Sequence, residues 1–274
     1  LETFNTQIPR ELAAQYGQQA VQIIQQGMYR APSGQVVNIA DLIARSVQGT
    51  RSYAPDQPLP QTHRGRQQTQ VEVTNETTLA AVQRWRESGH HPVALNFASA
   101  THPGGGFLSG ARAQEEYLAR SSGLYACLQM NPMYSFHRAR HDPLYTDYVI
   151  YSPAVPVFRA DDGTLLETPY TVGMITSPAV NAAVLPPERR AEIGPAMWQR
   201  ILKVLAVGIV HGHDSIVLGA WGCGAFGNDG AEIAQLFRKA LEEDFPGAYR
   251  QVSFAILDWS REKRFIEPFQ RAFG

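Results

Sequence analysis

PVALNFASATHPGGGFLSGARAQEEY, residues 92–117, carries the fold signal and the chemical signal in one stretch. Val93 to Phe97 is a compact apolar run and reads as a buried strand. Gly104, Gly105 and Gly106 follow Pro103, and after seven intervening residues come Gln114, Glu115 and Glu116, early in a helix expected from about Ala113 to Leu128. Strand, glycine turn and helix form the unit of an α/β layered domain, whose ligands bind where the carboxyl ends of strands feed helices. Consecutive glycines let the backbone approach a ligand with no side chain in the way. A helix N-terminus adds partial positive charge that suits a phosphate.

Toward the N-terminus, residues 70–73 read as a short strand, and Thr74 or Asn75 can cap a helix from Thr77 to about Glu87. Residues 49–70, with Pro55, Pro58 and Pro60, form a loop or extended connector. Leu12, Tyr16, Ala20, Ile23 and Ile24 give helix spacing over residues 9–29, and Ile39, Leu42 and Ile43 mark one face of a helix over 38–48. Residues 1–65 are therefore expected to be an N-terminal helical extension packed on a main domain of residues 66–274.

Toward the C-terminus, residues 148–151 and 156–159 flank a Pro-rich stretch, and Asp161-Asp162-Gly163 signals a hairpin turn. Residues 171–176, 215–218 and 252–257 read as strands. Residues 186–210, 231–243 and 261–273 read as helices, with Pro195 breaking or kinking the first. The alternation argues for an α/β fold with a mixed or largely parallel sheet.

Composition narrows the function classes. The 274 residues are 44% hydrophobic and 10% aromatic, ordinary for a chain with a full core. A formal net charge of -1 gives no overall pull toward nucleic acid or anionic membrane. A polyanionic substrate must then be held by local backbone donors and a few placed side chains. Cys127 and Cys223 suggest no disulfide framework and fit a reducing compartment. Residues 1–26 lack the basic start and apolar run of a secretory signal, and the apolar stretch 201–210, which includes Lys203, is too short to span a bilayer. A soluble, cytoplasmic protein is expected. The eight histidines are scattered, and His211-Gly212-His213 reads as a solvated helix end, not a metal site.

The paired acids admit a plain explanation, since carboxylates early in a helix are favoured by the dipole. Adjacent helical residues point about 100° apart, however, so Glu115 and Glu116 can serve different tasks, with Gln114 orienting either. A desolvated glutamate beside a bound diphosphate is pushed toward its protonated form and becomes a general acid for glycosidic cleavage. Residues 219–229, GAWGCGAFGND, form a second glycine-dense loop between a strand and a helix. Its backbone amides could meet phosphate from the opposite side, and Phe226 could pack on a ribose or serve the core. Cys223 has no histidine at pairing spacing and does not read as a nucleophile.

NFASA (96–100), PGGGFL (103–108) and QEE (114–116) together resemble the bacterial and fungal type of poly(ADP-ribose) glycohydrolase. VEVTNETT (71–78), YSPAVPVFR (151–159), ITSPAVN (175–181) and GCGAFGN (222–228) extend the resemblance over roughly residues 60–260. It implies a macrodomain-like three-layer α/β/α sandwich with a mixed sheet and an N-terminal helical extension. By position, Glu116 would be the catalytic acid/base and Glu115 would bind the ribose beside the scissile bond. Gly104, Gly105 and Gly106 would lie against the diphosphate, with Gly222, Cys223, Gly224, Ala225, Phe226 and Gly227 closing from the other loop. Phe226 would order the terminal ribose, and Asn96 and Gln114 would contact or position substrate.

The same resemblance implies hydrolysis of poly(ADP-ribose) to ADP-ribose without a metal or redox cofactor, on poly-ADP-ribosylated proteins, in DNA damage or stress-linked turnover. A monomer without membrane or direct DNA contact is expected. A module that only binds ADP-ribose would share the glycine loops but has no need of paired acids. A hydrolase of mono-ADP-ribosylated protein would use the same cradle. His102 departs from the family, where Asn often precedes the Pro-Gly-Gly-Gly run.

Overall fold

Successive residues of the central strand point to opposite faces, and both faces are buried. Val93 and Leu95 join one apolar core and Ala94 another. Such a strand needs helices on each side. The computed structural model, which describes residues 8–55, 57–59 and 63–274, has that arrangement. In chain order the elements are α1 (Arg10–Gln26), β1 (Met28–Arg30), β2 (Val36–Asn38), α2 (Ala40–Gly49), β3 (Arg51–Tyr53), β4 (Gln70–Thr74), α3 (Thr78–Glu87), β5 (Pro92–Phe97), α4 (Gln114–Ser121), α5 (Leu124–Leu128), α6 (Pro132–Arg140), β6 (Val149–Arg159), β7 (Leu165–Ser177), α7 (Ile193–Val210), β8 (Ser215–Leu218), α8 (Gly230–Lys239), β9 (Gln251–Ala255) and α9 (Glu267–Phe273).

One mixed sheet has the order β3-β6-β7-β5-β8-β9-β4. The run from β7 to β4 is parallel, while β6 and β3 are added antiparallel. One face packs on α7, α8 and α9, with Ile201, Leu205, Phe237 and Phe269 fully buried. The other packs on α3, α4, α5 and α6 through Val82, Leu118, Leu124 and Met133. A smaller third core gathers Ala20, Ile23, Val37, Ile39 and Ile43 from α1, α2 and the β1–β2 pair around Phe158. The three layers and the mixed sheet follow from two-sided burial of the strands.

Several expectations change in detail. The helix expected over 113–128 is broken into α4 and α5, because Ser122 is extended and bridges Val157 while the Gly123 amide donates to the Pro156 carbonyl at 2.8 Å. The connector expected over 49–70 contains β3, which pairs with β6, so the main sheet takes an edge strand from residues expected to be helical extension. Residue 56 and residues 60–62 of that connector, and residues 1–7 of the N-terminal reading, lie outside the described residues. The Pro-rich stretch does not divide two strands: β6 is continuous, with a register irregularity between Ser152 and Val155 that accommodates Pro153. Pro195 lies in the first turn of α7, where its missing N–H costs nothing, and no break occurs there.

Residues 187–210 form one helical run long and apolar enough to cross a membrane by length and composition, whereas the sequence reading weighed only the apolar stretch 201–210 within it. Its apolar side is a core face here, with Met197, Ile201 and Val204 fully buried under the sheet. His213 is not at a solvated helix end either. It is 3% exposed, with Nδ1 3.1 Å from the His91 carbonyl and Nε2 2.8 Å from Tyr151 Oη, and the His211 ring stacks on Tyr151.

Candidate active site

The site begins with the docking of α4 on the end of β5. The Gln114 amide makes the joint: its oxygen accepts from the Phe97 N–H at 2.9 Å, and its nitrogen donates to the Leu95 carbonyl at 2.7 Å and to Thr78 Oγ1 at 3.1 Å. Both polar ends of Gln114 are thus engaged by protein. It touches neither carboxylate and acts as a strut between strand and helix.

That strut fixes where the next two side chains go. Glu115 is 3% exposed. Its Oε2 accepts from the Ser99 N–H at 2.6 Å, its Oε1 receives a long contact from Asn96 Nδ2 at 3.4 Å, and the Gly104 backbone donates to it as well. Burial outweighs these donors and pushes the Glu115 carboxyl up to about 8, with the charge of Glu116 adding to the rise. Asn96 is wholly buried behind Glu115 and also donates to Thr176 Oγ1 at 3.2 Å, so it positions the acid from below. Tyr134, on α6, buries its hydroxyl with no partner among the described residues, and burial, with Glu115 adding, pushes its pKa well above the ordinary tyrosine value.

Glu116 is held differently. Its Oε1 accepts from the Gly106 N–H at 2.9 Å, while Oε2 is buried with no hydrogen-bond partner among the described residues. An orphaned carboxylate oxygen on a cleft wall is poised for something that the protein alone does not supply.

The glycine turn explains why both acids fit. Gly104 and Gly105 have φ of 71° and 59°, the left-handed region in which a side chain is strained. Sequence reading places the three amides against a diphosphate. The structure turns them inward: Gly104 donates to Glu115, Gly105 to the His102 carbonyl at 3.0 Å and Gly106 to Glu116. The turn is a collar around the carboxylates, and residue 105 is glycine because the carboxylates occupy the space of a Cβ. From outside, α1 packs on this collar, with Gly17 so close that a Cβ there would lie 2.6 Å from the Phe107 carbonyl oxygen.

The second loop has the opposite character. The amides of Gly222, Gly224, Ala225 and Phe226 donate to no group among the described residues, and a Cβ built on Gly224 meets nothing within 4 Å. Asn228 braces the loop through Nδ2, which donates to the Val180 and Gly222 carbonyls at 2.8 and 3.0 Å. Gly227 closes the turn with its N–H on the Gly224 carbonyl. Cys223 points away from the opening, with Sγ 3.6 Å from the Trp221 carbonyl, and burial pushes its thiol up to about 12. Such an environment disfavours the thiolate that a nucleophile needs.

Between the two loops lies a cleft of about 360 Å³. Gln114, Glu115, Glu116, Gly222, Gly224, Ala225 and Phe226 line it, whereas Asn96, Cys223, Gly227 and the triglycine stand behind its walls. Sequence reasoning missed the rest of the lining. Thr77 and Tyr117 form one wall, tied together through Asp161 at the β6–β7 hairpin tip: Thr77 Oγ1 donates to Asp161 Oδ2 at 2.6 Å and Tyr117 Oη donates to Oδ1. Phe97, Ile256, Leu257 and Phe265 make an apolar end. Several of these lay inside stretches quoted from the sequence, Thr77 in VEVTNETT and Phe97 in NFASA, but none was singled out for the site.

The family described as microbial-type PARG, catalytic domain, matches residues 17–160. The solved structure of poly(ADP-ribose) glycohydrolase from Thermomonospora curvata bound to the inhibitor ADP-HPD is 48% identical, with a TM-score of 0.91 over 96% of this chain and 100% of that one. The poly(ADP-ribose) glycohydrolase from Deinococcus radiodurans in complex with ADP-ribose is 45% identical, with a TM-score of 0.80 over 86% of this chain and 98% of that one. No curated protein matches the chain.

Proposed function

Because this chain belongs to the microbial-type poly(ADP-ribose) glycohydrolases, glycosidases acting on poly(ADP-ribose), we propose that Glu116 is the acid and then the base that cleaves the ribose–ribose O-glycosidic bond. The observation that carries the assignment is the asymmetry of this carboxyl. Gly106 holds one oxygen at 2.9 Å, and the other is buried with no partner among the described residues.

Glu116 gives its proton to the departing ribose oxygen as the bond from that oxygen to the anomeric carbon breaks. The sugar passes through an oxocarbenium-like state, which the negative diphosphate next to it stabilises. The ionised Glu116 then takes a proton from water while the water oxygen bonds to the anomeric carbon, and ADP-ribose is released. One residue acts twice here, unlike the scheme with two separate carboxylates. Glu115, neutral at pH 7 because burial raises it to about 8, holds the ribose hydroxyls and sets the angle of the sugar. The unused amides of Gly222, Gly224, Ala225 and Phe226 take the diphosphate. The apolar end at Ile256, Leu257 and Phe265 suits the adenine base.

General acid–base assistance contributes about 10²–10⁴-fold. Glu116→Gln keeps the shape and the Gly106 contact but cannot cycle a proton. Its release of ADP-ribose from polymer should fall by that factor while ADP-ribose still binds. Wild-type turnover by this variant would remove the assignment.

Poly-ADP-ribosylated proteins as carriers of the polymer, action as a monomer without direct DNA contact, and a cytoplasmic setting belong to the same proposal. The net charge of -1 supports the lack of direct DNA contact, and two cysteines without a disulfide partner support a reducing compartment.

A further inference from the structure

We propose that Arg112 binds the diphosphate of the unit on the leaving side of the scissile bond and so makes the enzyme prefer polymer to free ADP-ribose. The assignment rests on the glycohydrolase reading above. Among the described residues lining the cleft, Arg112 alone carries a cationic side chain; the other ionisable ones that bear carboxyl groups are Glu76, Glu115 and Glu116. A chain of net charge -1 exerts no general attraction on a polyanion, so a single cation on the wall decides much of the local field.

Its position relative to the acid gives the direction. Gly106, whose N–H holds Glu116, packs against Ala111: a Cβ on Gly106 would lie 3.1 Å from the Ala111 Cβ. Arg112 is the next residue and therefore stands on the Glu116 side of the cleft. A general acid sits beside the oxygen that departs, so the leaving chain exits past Glu116 and Arg112. That departing ribose belongs to the next ADP-ribose unit and carries its own diphosphate on the 5′ carbon. The diphosphate of the unit being released lies elsewhere, on the free amides of residues 222–226.

Arg112 is exposed and its guanidinium is not exhausted. Nη1 donates to the Ile8 carbonyl at 3.0 Å, which anchors the side chain to the segment ahead of α1. Of five N–H donors only that one is engaged by a described residue, which leaves a fork for a phosphate. Arg112 also lies close enough to the buried Arg120 for the two positive charges to repel. An anion docking on Arg112 relieves that repulsion.

Arg112→Gln tests the assignment, because glutamine can still donate to the Ile8 carbonyl while losing the charge. The steady-state kinetics of the full chain are measured on poly(ADP-ribose) of defined length, and ADP-ribose affinity is measured by calorimetry. The expected result is a loss of roughly ten- to hundredfold in kcat/KM on polymer, carried mainly by KM, with unchanged ADP-ribose affinity. Arg112→Lys should recover part of the loss. The slope of log kcat/KM against log salt should be shallower in Arg112→Gln by about 0.7, the share of one phosphate contact. Unchanged kcat/KM, an equal loss of ADP-ribose affinity, or an unaltered salt slope overturns the proposal. Failure of the wild type to release ADP-ribose at all would instead sink the glycohydrolase reading, and this one with it.

Discussion

Gly105 and Glu116 are in direct apposition: a Cβ on residue 105 would fall well inside van der Waals contact distance of Glu116 Oε1 and 3.1 Å from Glu115 Oε2. With φ of 59°, the residue is also in a backbone region that disfavours any side chain. Gly105→Ala must therefore move the acid or unwind the turn. We expect a fall in kcat of at least about tenfold, with a stability loss of roughly 1–2 kcal/mol from the left-handed backbone. The measurement is single-turnover cleavage of polymer beside urea unfolding. Unchanged kcat would show that the collar does not set the position of Glu116.

Gln114 makes a second, separable prediction. Gln114→Ala leaves the Phe97 N–H and the Leu95 carbonyl without their partner at the joint between β5 and α4. Each orphaned group costs about 1–3 kcal/mol when it is buried. The urea midpoint should drop and kcat should fall with it, since the helix that carries both acids is released. A variant with normal stability and lowered ADP-ribose affinity would instead make Gln114 a ligand contact.

The Glu115 carboxyl, raised to about 8, predicts a pH-dependent effect of its removal. Between about 4.5 and 8 the unfolded chain has this group ionised while the folded chain keeps its proton. Folding then binds a proton, and stability from this group falls as pH rises through that window. Glu115→Gln is permanently neutral and escapes the loss, so its melting temperature relative to wild type should climb from pH 5 to pH 8. Asn96 can turn its unpartnered Oδ1 toward the new amide. A difference in melting temperature that stays flat across this range would contradict the raised pKa.

How much of this was legible depends on where the information sits along the chain. β8 was read to the residue because Ser215 to Leu218 is a short apolar run bounded by turn residues. The acids were legible because strand, turn and helix are contiguous in sequence. The role of the triglycine was not: whether an amide faces a ligand or a carboxylate depends on φ at Gly104 and Gly105, and composition does not encode it. α6 escaped notice because it buries only Met133, Tyr134 and His137 on a face otherwise rich in arginine, too weak a period to register. The break at Ser122 is set by pairing with β6, more than thirty residues away, and the only local signal is the short Ser121-Ser122-Gly123 run. Thr77, Tyr117 and Asp161 meet for the same reason, brought together by the sheet and not by spacing.

At the opposite end of the sheet, His213 predicts acid sensitivity of a different sign from that of Glu115. Burial, with the neighbouring His91 next in weight, depresses its pKa to about 4. Neutral imidazole satisfies both nitrogens, Nδ1 donating to the His91 carbonyl and Nε2 accepting from Tyr151 Oη. A second proton would break the latter bond. Above about 6.5 the ring is neutral in both states and the group has no effect. As pH falls from 6.5 to 4, the unfolded chain takes up a proton that the folded chain refuses, and stability is lost, by about 3 kcal/mol when complete. His137, also depressed to about 4 by burial, acts in the same window. Because Glu115 gains stability over part of that range, the test is the difference between wild type and His213→Gln, whose amide can bond both partners without titrating. The variant should be less stable at pH 7.5 and lose the disadvantage by pH 4.5. A gap in melting temperature that is constant from pH 7.5 to 4.5, or an imidazole titration by NMR with a midpoint near 6.5, would refute it.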